Sequence, residues 1–392
     1  YGLMAQKSSI ISEIKYWIVN IPLKTELSWS SGKRTGSTRL ICEITTTEGI
    51  KGYGETICLL DFVPTVFDKV VRPLGLGLNI TDVELLSRKA EGAGYYHHKR
   101  ALVFALSALE MAMWDARGKI AGLALNELWG GSYRKKVEIC AYIYISDHNQ
   151  LEKELIEYRN KGFKSFKLKV GLDPVQDVAL VKKAREILGP GLNLRIDPNG
   201  AWTIATAKRM ITKLAPYDLQ YIEQPLPVEN MIGAARLRKF SPIPICIDEG
   251  AYTLQETMNA IQMGTADVIL ADPHEAGGLW QCLKIGAVCE AAGIHIGMHS
   301  GGELGLTQAA YLHLAASMPN AKIALDTIYH HHTDDILKNR ITFETGYADV
   351  PKGPGLGVEI DLEKLEAYRT DTITSAYLNP DKPDWFSEKP EF

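Results

Sequence analysis

The sequence predicts an α/β protein: a (β/α)8 barrel preceded by a smaller α+β domain. Three observations predict it. Asp197, Glu223 and Asp248 lie 26 and 25 residues apart, and each closes a short apolar, β-prone run: LNLRIDP, LQYIEQP and IPICIDE. Strand-like and helix-like segments alternate from about residue 136 onward. Charged groups also end the neighbouring runs, with Lys167 and Lys169 in FKLKV, Asp272 in VILADP and His299 in IHIGMHS. Charge at the ends of six successive strands describes a barrel that keeps its chemistry on one rim.

The elements follow in order. Residues from about 8 to 60 read as antiparallel strands, because SEIKYWIVNIPL and TRLICEITTTEGIKGYGET alternate and EGIKG supplies a turn. Between them, ELSWSSGKRTGS is polar and glycine-containing and reads as a mobile loop. From about 63 to 128 the pattern is helical, and RALVFALSALEMAMWDARGKIAG is a long apolar helix stopped by glycine. The barrel strands expected next are VEICAYI, SFKLKV, LNLRID, LQYIEQ, IPICID, DVILAD, HIGMH and KIALD. Seven helical segments fill the gaps, and the strands are apolar enough to be buried on both faces. The expected boundaries are 1–132 for the α+β domain, 133–354 for the barrel, and 355–392 for a tail packing back on the first domain.

Composition narrows the function classes. The 392 residues are 46% hydrophobic and 23% charged, as in ordinary globular material. A net charge of −4 argues against a nucleic-acid surface. No run approaches the ~18 apolar residues of a membrane span. The opening YGLMAQKSSI lacks the pattern of a secretory leader. The six cysteines are scattered without a CxxC, so reduced thiols and a cytoplasmic protein are expected.

The strand ends carry the candidate chemistry. Lys167 and Lys169 are two apart and therefore share a face. Adjacent ammonium groups disfavour each other's charge, which would bring a lysine toward general-base range. Asp197, Glu223 and Asp248 offer oxygen ligands from adjacent strands, a set suited to Mg2+. Glu249 is expected on the opposite face from Asp248, replacing it as third ligand only if the strand is bulged. Asn199, two past Asp197, is a candidate hydrogen-bond donor to substrate. His299 is expected to pair with Asp272, which would fix its tautomer and raise its basicity. Asp326 stands at the corresponding end of strand eight and is a candidate substrate contact. Lys33 and Arg34, with Ser28, Ser30 and Ser31, could meet hydroxyls and a second carboxylate. His295 and His313 read as structural, and His330 to His332 as a polar loop.

Taken together, KxK, the three acids and the Asp–His pair resemble the enolase superfamily, as do ALEMAMWDARGK, GLALNELWGG and GPGLGVEID. The resemblance covers nearly the whole chain. It implies a modified TIM barrel capped by an α+β domain made from both chain ends. Within the superfamily, DPNGAW, LADPH, the HS turn at 299–300 and IALDT are similar to the mandelate racemase and glucarate dehydratase-like acid-sugar dehydratases. Two positions depart from the glucarate dehydratases: Gly301 replaces an asparagine after the HS turn, and Asp248 replaces an asparagine ligand. The resemblance implies a Mg2+-dependent dehydratase of an aldonate or aldarate such as glucarate or galactarate. Lys169 or His299 would take the proton beside the carboxylate, Lys167 would help stabilise the enediolate, and loss of the β-hydroxyl would give a 2-keto-3-deoxy acid. The rival expectation is a racemase or epimerase using the same two bases. The expected partners are a small acid sugar and further copies of the chain in a homo-oligomer, with neither nucleic acid nor membrane.

Overall fold

The computed structural model describes residues 9–144 and 147–373. The opening residues 1–8, on which the leader expectation partly falls, and the tail beyond 373 lie outside the described residues. The N-terminal sheet is antiparallel, with strands Ile11–Trp29, Gly32–Thr46 and Lys51–Ile57 in that order. The expected mobile loop around 26–37 is instead the end of a long hairpin. Leu27 pairs with Arg34, Ser28 with Lys33 and Trp29 with Gly32, which leaves Ser30 and Ser31 as the turn. Polar composition suggested a loop, but Leu27 and Trp29 alternate as buried anchors and fix the register. Arg34 therefore faces inward beside Leu27, while Lys33 faces out.

The helix Tyr95–Ala121 lies on this sheet and ends at Gly122 in the left-handed region, φ 70°. The approach is close. A Cβ added at Gly54 would meet the Ala108 carbonyl oxygen at 1.9 Å, so the sheet can seat the helix only with glycine there. The described part of the tail runs along the first strand: Asn20 N donates to Tyr368 O at 3.0 Å, and Thr370 N to Ile18 O at 2.9 Å.

Seven parallel strands form the barrel sheet in chain order: Ala141–Ile143, Ser165–Lys169, Asn193–Asp197, Ile222–Glu223, Ile245–Ile247, Val268–Ala271 and His295–Met298. The expected eighth strand closes the barrel through single bonds. Ile296 N donates to Asn320 O at 3.0 Å, Leu325 N to Glu138 O at 2.8 Å, and Cys140 N to Leu325 O at 2.9 Å. The architecture is a capped TIM barrel. All seven expected helices are present, and several begin at a side chain that accepts first-turn N–H groups, such as Asp147, Asp173, Thr203 and Thr253. Their apolar faces and the strands form one continuous core with the cap.

A buried ion pair fastens cap to barrel. Arg39 Nε donates to Glu55 Oε1 at 2.7 Å, with the side chains 1% and 0% exposed. Glu55 also accepts from Leu304 N at 2.8 Å and Thr307 N at 2.9 Å, while Arg39 Nη1 donates to Gly301 O at 3.2 Å. All six cysteines are free and buried. Among the described residues no helix is long and apolar enough to cross a membrane.

Candidate active site

Strand register assembles the rim. Lys169 pairs with Asp197, and Glu223 with Cys246, so the strand ends stand side by side. Asp197, Glu223 and Asp248 are completely buried. Lys167 Nζ donates to both Glu223 carboxylate oxygens at 2.7 Å and to Asp326 Oδ2 at 2.8 Å, and lies 3.3 Å from Asp197. Lys169 Nζ donates to Asp197 Oδ2 and, at 2.7 Å, to Asn199 Oδ1.

Several expectations need correction. The lysine pair was expected to lower its own pKa. For Lys167, burial acts in that direction, but Asp326, Glu223 and Asp197 outweigh it and hold the ammonium well above the usual lysine range. Asp326, the candidate substrate contact at strand eight, is fully buried and accepts from Lys167 and from the guanidinium of Arg195. Nor does Asp272 pair with His299. It accepts from the backbone of His274, pairs with His274 Nδ1 at 2.8 Å, and accepts from the Tyr311 hydroxyl. A proline follows Asp272, and the chain turns into a short helix that this carboxylate caps, which draws it away from the mouth. His299 instead shares a hydrogen bond with Asp248, Nδ1 to Oδ2 at 2.7 Å. Burial disfavours the charged imidazole, but Asp248 and Glu275 outweigh it and raise His299 well above its ordinary value.

Glu249 was expected to face away. Asp248 has φ −115° and ψ −89°, which ends the strand alternation, and Glu249 begins a tight turn. Glu249 therefore also reaches the mouth, where Asn199 Nδ2 donates to it at 3.0 Å. Asn199 itself sits in the left-handed region, φ 50°, and spends its side-chain donor on Glu249. Burial, then the charge of Asp248, pushes Glu249 up to about 7. Glu223 is raised well above the carboxylate range by burial and by Asp197. Asp197 is also penalised by burial, yet Lys169 and Lys167 hold it low.

One cavity collects these groups. Lys169, Asn199, Glu249, Glu275 and His299 line it on the barrel side, and Trp29, Arg34, Ile57 and Phe104 on the cap side. Arg34 rests over the Trp29 ring, its guanidinium carbon 5.2 Å from the centroid, and its buried Nε has no hydrogen-bond partner. Its Nη1 passes so close to Gly302 that a Cβ there would lie 2.1 Å away. Ser30 Oγ donates to Pro198 O at 2.9 Å and seats the hairpin tip on the barrel. Lys33 lies outside, half-exposed and 3.9 Å from Glu26.

Two carboxylate oxygens at the mouth suit a divalent cation, while both Glu223 oxygens and Asp197 Oδ2 are engaged by Lys167 and Lys169. Asp248 Oδ1 and Glu249 Oε2 are buried without hydrogen-bond partners. A buried carboxylate oxygen with no donor is costly, and an oxygen-seeking cation is the natural remedy. Asp248, Glu275 and His299 also come within reach of a common ion. Sequence reasoning missed Glu275, whose Oε1 lies 3.5 Å from His299 Nε2. Its signal was a charge in the LADPHEAGG run, where a carboxylate would be buried just past a strand end. The aromatic wall of Tyr142, Tyr144 and Tyr252 left no such signal. His313 is structural, bound to Asn126 and to Leu356 O, and His295 is exposed on its strand. His330 to His332 are substantially buried rather than a solvated loop, with His332 fully so.

A capped barrel with lysine and histidine opening into one carboxylate-lined mouth defines the class of protein. Residues 13–130 match the family described as mandelate racemase/muconate lactonizing enzyme, N-terminal domain, and residues 150–365 match the enolase C-terminal domain-like family. The chain belongs to the enolase superfamily, whose members are enzymes that typically bind Mg2+. It is 31% identical to a protein named "Probable glucarate dehydratase" from Streptomyces coelicolor, over 83% of each chain. It is 27% identical to muconate cycloisomerase 1 from Rhodococcus opacus, over 92% of this chain and 98% of that one. Among solved structures, an isomerase from Streptomyces coelicolor A3(2) superposes with a TM-score of 0.83 at 33% identity, covering 92% of this chain and 97% of the other.

Proposed function

We propose that the protein is a Mg2+-dependent dehydratase of an acid sugar, removing the proton next to a carboxylate and the β-hydroxyl as water to leave a 2-keto-3-deoxy acid. What carries this reading is that Lys169 and His299, from the second and seventh strands, line the same cavity as the inward-facing Arg34. Asp197, Glu223 and Asp248 are the residues that would hold Mg2+, with Glu249 next to them. When bound, the ion supplies positive charge at the substrate carboxylate, which acidifies the neighbouring C–H. Lys167, locked among carboxylates, keeps a permanent positive charge at the base of the site. Lys169 Nζ and His299 Nε2 are the two proton-handling atoms: one takes the α-proton, and the other delivers a proton to the departing hydroxyl. Asp248 orients the imidazole through Nδ1 and leaves Nε2 toward the cavity and Glu275. Arg34, with a buried unpartnered Nε, is suited to a second carboxylate at the far end of an aldarate.

The dehydratase-named relative supports this reading. Relatives named N-succinyl-L-Arg/Lys racemase, from Bacillus cereus and 25% identical, and L-Ala-D/L-Glu epimerase, from Bacillus subtilis and 28% identical, support the alternative, a racemase or epimerase in which the second group returns the proton to carbon. The test is a library of mono- and diacid sugars, assayed for 2-keto acid with Mg2+ and after exhaustive chelation. Keto acid from at least one sugar, lost on chelation and restored by Mg2+, is the expected result. Configurational change at the α-carbon without keto acid would select the alternative.

A further inference from the structure

A second cavity, of about 510 Å³, shares no lining residue with the catalytic mouth. Lys24 of the cap, Lys161 at the end of the helix His148–Asn160, and Arg340 border it. Its walls are rings. Tyr158 and Phe343 stand edge-on to His330, with centroids 5.6 and 5.5 Å away, and Phe163 stands edge-on to Tyr158 at 5.0 Å.

The charge here is unbalanced in a chain whose net charge is −4. Lys24 Nζ donates to the His330 carbonyl at 2.9 Å, and Arg340 Nη2 to the Tyr329 and His332 carbonyls at 3.3 Å. Among the described residues neither has a carboxylate within ion-pair distance; Lys161 alone is neutralised, by Glu157. Cations held on backbone carbonyls keep donors for an incoming anion. His330, His331 and His332 add no charge of their own. Burial first pushes the three imidazoles below their ordinary range, His331 to about 4; His331 and Lys24 add to this at His330, Lys24 at His331, and Arg34 at His332. The buried Nδ1 of His330 has no hydrogen-bond partner. A pocket of this size holds a small organic ligand. Edge-on rings favour a flat aromatic body, and the two cations without a carboxylate partner favour one anionic end.

We propose that this cavity is a second ligand site, separate from the catalytic mouth, that binds a planar aromatic carboxylate with its ring among Tyr158, Phe343 and His330 and its carboxylate on Lys24 and Arg340. Lys24 stands on the cap strand while the other groups belong to the barrel side, so an occupant would tie the two together.

The probe is 2-naphthoate, followed by its fluorescence and by calorimetry on the full chain. The expected result is saturable binding with a Kd at or below about 1 mM. Lys24→Met, at an exposed position that leaves the fold alone, should weaken it by about 10- to 150-fold, the range for losing a charge-assisted bond. Arg340→Met should do the same, and Phe343→Leu should also weaken it. Inorganic phosphate and neutral 2-naphthylmethanol should each bind at least tenfold more weakly. Lys169→Met should leave the Kd unchanged. The proposal is overturned by no saturable binding at several millimolar, by phosphate binding as tightly, by indifference to Lys24→Met, or by loss of binding in Lys169→Met, which would put the ligand in the catalytic mouth.

Discussion

Replacing Arg39 with Met tests how the cap is fastened to the site. The guanidinium makes four kinds of contact in a place water does not reach: Glu55 at 2.7 Å, Gly301 O at 3.2 Å, Thr307 Oγ1 at 3.2 Å and His274 Nε2 at 3.3 Å. Methionine fills much of the volume but strands the Glu55 carboxylate, whose side chain is 0% exposed. Glu55 keeps two backbone donors, Leu304 N and Thr307 N, but no counter-charge. Breaking one side of such a pair costs about 3–5 kcal/mol. Against a typical total of about 5–15 kcal/mol, that is a large share of the fold's stability. Arg39→Met/Glu55→Gln removes the stranded charge while leaving an amide oxygen for one backbone donor. The double variant should therefore be less destabilised than the sum of the singles, by about 1–3 kcal/mol. Urea unfolding of parent, both singles and the double, followed by circular dichroism, measures all four terms. A loss below about 1 kcal/mol for Arg39→Met, or strict additivity in the cycle, would refute the clasp.

Three further outcomes follow from the site and the core. Asp177 is buried, and burial followed by the charge of Asp173 pushes its carboxyl up to about 7 from 3.8. A carboxyl raised in the folded state loses stability as pH rises from the unfolded to the folded value, so the advantage of Asp177→Asn over the parent should grow from about pH 4 to 7 and level off above. Denaturation midpoints across that range check it, and an advantage largest at acid pH would be the wrong sign. Arg34→Ala should lower kcat/KM on the true substrate by about 10- to 150-fold, more for a diacid sugar than for its monoacid counterpart; small equal losses on both would remove Arg34 from recognition. Saturating Mg2+ should raise the Tm of the parent but not of Glu223→Gln, since only the form that binds the ion gains from it; equal shifts would place the ion elsewhere.

Much of the barrel was legible because period-two strands leave a regular trace. The runs ending at Asp197, Glu223 and Asp248 are close in space because their strands are neighbours, and neighbours in a barrel are neighbours in sequence. Reading failed where the backbone leaves that period. Asn199 at φ 50° and Asp248 at ψ −89° redirect the next side chains, so Glu249 arrives in the mouth against the alternation. It failed again where partners are distant. Asp272 is held by Tyr311, thirty-nine positions on, and nothing in LADP announces that. The hairpin misled for a compositional reason: serine and glycine suggested a loop, while two buried anchors, Leu27 and Trp29, were enough to hold strands together. Lys167 and Lys169 look equivalent in FKLKV, yet two residues of rise separate a cation buried among three carboxylates from one that lines the cavity.

The central claim is that Lys169 and His299 are separate proton-handling groups serving one substrate, one at the α-carbon and the other at the β-hydroxyl. Solvent deuterium exchange at the α-carbon, measured on the acid sugar that the parent dehydrates, tests it most directly. Lys169→Met and His299→Asn should each abolish keto-acid formation, since losing a general acid or base costs about 10²–10⁴-fold. One of the two should still wash deuterium into the α-position of unreacted substrate, because the remaining base works alone. If both variants dehydrate at the parental rate, the two-base account is contradicted.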